Sequence, residues 1–60
     1  MPVITVESGL LSKEQKRDLA QALTRTAGAI MKVPEQAFTV LIKENPPDNV
    51  GVGGTLLSDR

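Results

Sequence analysis

The sequence predicts an α+β chain: a single βαβ unit with parallel strands, a short C-terminal hairpin, and completion by oligomerisation. Three observations carry this. Two β-prone apolar runs, "PVITVE" and "AFTVLIK", flank a stretch whose apolar residues recur at helical spacing. A glycine-rich tail, "VGVGG", follows a turn cluster. The chain has only 60 residues, with no cysteine and no histidine. A chain this short buries only about 60% of its unfolded surface, and small folds stabilise themselves with disulfides, a metal or a partner chain. Without Cys or His, disulfides and zinc sites fall away, and a partner chain remains.

The first strand covers residues 2–7. Val3, Ile4 and Val6 supply β-branched bulk, and the mostly apolar run suits a strand covered on both faces. Gly9 punctuates its end. Ser12 and Gln15 stand in the S-x-x-Q relation of a capping box, so the helix begins at Ser12. Glu14 suits the positive end of the helix dipole. Leu19, Ala22, Leu23, Thr26, Ala27, Ile30 and Met31 form the expected apolar stripe, with Lys13, Lys16, Arg17, Gln21 and Arg25 off it. Gly28 implies a close approach, and Pro34 stops the helix. In the second strand, residues 37–43, Phe38, Val40 and Ile42 face one way and Thr39, Leu41 and Lys43 the other. "ENPPDN" is a turn cluster. "VGVGG" fits a short hairpin or a segment packed against another chain. The order requires one domain over residues 1–60 and a right-handed crossover. Two strands and a helix cannot enclose a core, so other copies must cover the exposed sheet.

Composition excludes several function classes. Seven basic and seven acidic residues balance, which gives no attraction to nucleic acid or anionic lipid. Phe38 is the only aromatic residue, so base stacking has almost no means. No apolar run approaches the roughly 20 residues of a membrane span, and the N-terminus lacks the features of a signal peptide. The expectation is a soluble, cytoplasmic protein. Nucleophilic triads that need His or Cys are absent. "GVGG" lacks the lysine and the strand-to-helix context of a phosphate loop, so its glycines read as structural.

Pro2 remains. A small penultimate residue permits removal of Met1, which would leave a secondary amine at the head of a strand. An α-amino group has a reference pKa of about 8. A secondary amine starts higher, and an apolar pocket lowers it by disfavouring the charged form. Near neutrality such an amine serves as general base and acid.

Met1-Pro2 leading a βαβ unit of about this length, the helix start "SKEQK", Glu44 at the end of the second strand and the glycine-rich "VGVGG" together resemble the 4-oxalocrotonate tautomerase family over essentially the whole chain. The resemblance implies dimers in which two βαβ units form a four-stranded sheet carrying two helices, with three dimers in a hexamer. It implies that the proline amine moves a proton between the enol and keto forms of a small unsaturated 2-hydroxy or 2-oxo acid, with no metal or organic cofactor.

The departures from that pattern define the remaining site candidates. Leu11 stands where relatives carry an arginine before the helix-start serine. Thr39 stands where they carry a second, and Val50 where they carry an aromatic ring. The first strand region is also one residue shorter. Backbone amides near Ser8 and Gly9 are candidates to bind an oxyanion. Lys13, Lys16, Arg17, Lys43 and Arg60 are conceivable substitute cations, each otherwise a solvated surface charge. Phe38 either lines the pocket or, by its parity with Val40 and Ile42, belongs to the core. The expected function is thus a tautomerase with Pro2 as base and acid. The rival is a non-catalytic or partner-dependent subunit of a mixed oligomer, or a small-ligand-binding module.

Overall fold

The computed structural model describes all 60 residues. Strand β1 (Val3–Ser8) leads into helix α1 (Lys13–Met31), which returns the chain to strand β2 (Thr39–Glu44). The two strands pair in parallel, from Val3 opposite Thr39 to Ser8 opposite Glu44. Two-residue strands β3 (Gly51–Val52) and β4 (Thr55–Leu56) form the C-terminal hairpin. Gly53 and Gly54 form its two-residue turn with φ of +63° and +83°, the left-handed pair that a type I′ hairpin turn requires. Single 3₁₀ turns occupy Glu35–Ala37, Pro47–Asn49 and Leu57–Asp59.

The capping box forms as expected: the Gln15 N–H donates to Ser12 Oγ at 3.1 Å, and the Ser12 N–H donates to Gln15 Oε1 at 3.0 Å. The other boundaries shift for identifiable reasons. Pro2 has no N–H and contributes only its carbonyl, which accepts from the Thr39 N–H at 3.1 Å, so the ladder's first paired residue is Val3. The second strand starts at Thr39 because Glu35–Ala37 wind into a 3₁₀ turn closed by the Phe38 N–H on the Glu35 carbonyl. The helix ends before Pro34 acts: Lys32 turns left-handed (φ 58°), and its N–H closes on the Gly28 carbonyl.

The helix covers only one face of the sheet. Ile4 and Val6 of β1 and Val40 and Ile42 of β2 are half-buried, as are Leu19, Leu23 and Ala27 of α1. Gly28 is the one fully buried residue. A Cβ there would lie 3.1 Å from the Val33 carbonyl oxygen and 3.7 Å from the Phe38 ring. The helix thus presses Gly28 against that ring, and Phe38 belongs to the core. Ala22, Thr26, Ile30 and Met31, read as part of the buried stripe, stay exposed, Ile30 at 75%. Lys16, Ala20 and Thr24 are half-buried instead. The helix carries more apolar surface than two strands can cover. The outer sheet face is also bare, with Val3 55% and Leu41 47% exposed.

The shape carries the same message. The radius of gyration is 14.7 Å and the extents are 44 × 23 × 14 Å, where a compact domain of this length has a radius near 10 Å. The accessible surface is 4578 Å², against about 3,800 Å² for a compact protein of this mass. No hydrophobic residue is fully buried. The single chain therefore leaves much of its apolar surface uncovered. No helix is long and apolar enough to cross a membrane.

Candidate active site

At the carboxyl end of the sheet, the loop after β1 and the hairpin region enclose a groove of about 450 Å³. Its walls are Glu7, Ser8, Gly9 and Leu10 on one side and Asn45, Pro47, Val50 and Leu57 on the other. The Leu57 N–H donates to the Val50 carbonyl at 2.8 Å, folding the tail back to form this wall. The Asn45 N–H donates to the Ser8 carbonyl at 2.8 Å and ties the two sides together.

Three of the sequence candidates, Ser8, Gly9 and Val50, line this groove. The Ser8 hydroxyl is spent on the Gly9 carbonyl at 2.9 Å. The Gly9 and Leu10 N–H groups find no partner within the subunit and offer two adjacent donors. Gly9 has no positive φ, and a Cβ on it would meet nothing within 4 Å. The subunit's own packing does not require a glycine there.

Leu11 lies just beyond the groove, where its N–H donates to Glu44 Oε2 at 2.9 Å. The other Glu44 oxygen accepts from Lys16 Nζ at 2.8 Å. This clip joins the end of β2 to the start of α1 and holds the intervening loop. The Lys16 ammonium, and then the Leu11 N–H, keep the Glu44 carboxyl below its ordinary value of 4.5. Sequence reasoning missed this pair, having placed Lys16 off the buried side of the helix. It also missed Leu10, Pro47 and Leu57 as groove walls. The signal was "GLLS": a leucine beside a glycine, outside both periodic segments.

Pro2 and Thr39 sit together at the other end of the sheet, joined by the Thr39 N–H and the Pro2 carbonyl. Ser8 lies six residue steps along the strand from Pro2, about 20 Å. Within one subunit, the candidate base and the candidate groove are apart.

The outer edge of β1 is unpaired. Pro2 and Ser8 direct their carbonyls to β2. By the alternation of a parallel ladder, Ile4 and Val6 do the same, and Val3, Thr5 and Glu7 present their backbone groups to the free edge.

A family profile described as "Tautomerase enzyme" matches residues 2–60. A probable tautomerase of Bacillus cereus is 36% identical over 62 aligned positions that span 100% of both chains. The crystal structure of DmpI from Archaeoglobus fulgidus is 41% identical, covering 97% of this chain and 100% of that one, with a TM-score of 0.85. A heterohexameric 4-oxalocrotonate tautomerase from Chloroflexus aurantiacus is 32% identical, covering 98% and 95%, with a TM-score of 0.81. The agreement runs through β1, the helix, β2 and the terminal hairpin, and with every residue after Met1 inside the family match, the chain belongs to the tautomerase family.

Proposed function

We propose that the protein is a cofactor-independent tautomerase that interconverts the enol and keto forms of a small unsaturated 2-hydroxy or 2-oxo acid, with Pro2 as its base and acid. The supporting observation is the placement of Pro2 directly before β1, its carbonyl held by Thr39. Once Met1 is removed, the ring nitrogen is a secondary amine on a fixed strand. In its neutral form the amine takes the enol proton, and the resulting ammonium returns a proton to carbon. The charge that develops on the substrate oxygen needs donors fixed in advance, usually the largest catalytic contribution. The unpaired Gly9 and Leu10 N–H groups are the candidates.

A two-fold dimer brings these parts together. Two identical edge strands related by a two-fold axis run antiparallel. Pairing centred on Thr5 uses every free backbone group from Val3 to Glu7 and sets Pro2 opposite Ser8 of the partner subunit. Antiparallel residues in such non-hydrogen-bonded positions have Cα atoms about 4.5 Å apart. Each amine then meets the groove of its partner, giving two sites per dimer. The bare outer sheet face and the exposed Ile30 side of the helix support further assembly to a hexamer as a trimer of dimers.

The test is enol-to-keto conversion by Met1-free protein and by Pro2→Ala over pH 5–9, on a panel that includes monocarboxylates. Loss of activity in the variant is expected; equal rates would overturn the proline's role. A second reading, a partner-dependent subunit of a mixed oligomer, is favoured by Leu11, Thr39 and Val50 at the positions of the family's arginines and ring, and by the likeness to a heterohexamer. Native mass spectrometry decides between them: a homo-oligomer lacking Met1 supports the enzyme, and retained Met1 supports the alternative.

A further inference from the structure

We infer that the groove takes a substrate with a single carboxylate and an uncharged hydrocarbon end, in preference to a dicarboxylate. This rests on the reading of the groove as the tautomerase site. Within the subunit, none of the seven Lys and Arg residues lines it. The cation nearest its loop, Lys16, is engaged at 2.8 Å by Glu44, whose second oxygen holds the Leu11 N–H. The Lys16 ammonium is thereby directed to Glu44, not to the groove. The one charged wall residue is Glu7, a carboxylate, which repels a second anion.

What the groove offers instead is one anion-binding spot and a large apolar remainder. The unpaired N–H groups of Gly9 and Leu10 are neighbours and suit one carboxylate or enolate oxygen. Leu10, Pro47, Val50 and Leu57 form the rest of the wall, and Leu10 is 69% exposed on the free subunit. A six-carbon diacid would place its second carboxylate among these groups, desolvated and without a cation. An aryl or alkyl end placed there instead removes apolar surface from water on both sides.

The experiment compares 3-phenylpropanoate with adipate, two unreactive probes, by the methyl NMR shifts of Leu10, Val50 and Leu57 in the assembled, Met1-free protein. The phenyl acid is expected to bind at least tenfold more tightly, with little dependence on salt. Leu10→Arg is expected to reverse the order by introducing a cation into the wall. Equal or tighter binding of adipate by the unaltered protein, or no shift with either probe, overturns the inference. Turnover of phenylenolpyruvate and of the six-carbon 2-hydroxydienedioate separates this from the proline reading. A proline-dependent preference for the diacid overturns the substrate class alone. Selective phenylpropanoate binding, with no turnover that Pro2→Ala abolishes, keeps the groove's selectivity and overturns the proline's role.

Discussion

Truncating Leu41 to alanine perturbs the bare outer sheet face without adding charge or bulk. Leu41 is 47% exposed in the subunit and stands opposite Thr5 in the ladder. A fully exposed leucine shows roughly 180 Å², so about 85 Å² of Leu41 remains to be covered, worth about 2 kcal/mol per subunit at 25 cal/mol/Å². If the contact is symmetric, each pair of subunits loses about 4 kcal/mol, close to a thousandfold in association. The subunit has no fully buried hydrophobic residue, so folding is expected to be coupled to assembly. Sedimentation equilibrium and circular dichroism across a dilution series measure both. Leu41→Ala is expected to dissociate and unfold at concentrations where the wild type stays assembled, while Gln21→Ala on the exposed helix face changes neither. A folded wild-type monomer at nanomolar concentration, or an unchanged dissociation midpoint in Leu41→Ala, would refute the reasoning.

Glu44→Gln removes the charge that clips the groove's loop. Because the folded-state pKa of Glu44 is lowered, its contribution is fully present above the ordinary carboxylate range and is lost as the pH falls through the lowered value. The variant is expected to be less stable than wild type in urea at pH 7, with the two curves converging in acid; a gap that persists or widens there would contradict the ion pair's role. Lys32→Gly relieves a left-handed side chain at φ 58° and is expected to gain roughly 0.5–1 kcal/mol and raise the melting temperature, since a glycine avoids a cost of about 1–2 kcal/mol there but adds unfolded-state freedom. Gly28→Ala gains about 1 kcal/mol of helix propensity. Its new Cβ, however, lies 3.1 Å from a carbonyl whose own residue is bonded back to Gly28. A net loss of about 1 kcal/mol is expected from overpacking, read as a lower urea midpoint.

The parts of this fold that rest on local chemistry were legible in the sequence. Ser12 and Gln15 announced the helix start, Gly53-Gly54 fitted the hairpin, and the parity of Phe38, Val40 and Ile42 identified the inner face. The misread residues depend on tertiary supply. Ala22, Thr26, Ile30 and Met31 have the spacing of a core stripe, but a two-stranded sheet is too narrow to cover them. Lys16 reads as a surface charge until Glu44, 28 residues away, comes within 2.8 Å. Pro2 stands out as a candidate through the chemistry of a penultimate proline. Its distance from Ser8, Gly9 and Val50 does not, because that depends on which end of a strand each group occupies. Leu10 and Leu57 gave no periodic signal, since one lies in the loop between β1 and the helix and the other in the C-terminal 3₁₀ turn.

Subunit mixing tests the central claim, that Pro2 of one subunit works in the groove of another, most directly. Pro2→Ala keeps its groove but carries a primary amine in place of the proline's secondary ring amine; Gly9→Trp keeps the proline amine and fills the groove. Each homo-oligomer is expected to be inactive. When the two are unfolded together and refolded in equal amounts, half of the dimers are hybrids, and each hybrid carries one intact site of two, so about a quarter of the wild-type activity is expected to return. Hybrids confirmed by native mass spectrometry but without activity would contradict the shared site, as would a Gly9→Trp homo-oligomer that retains full turnover.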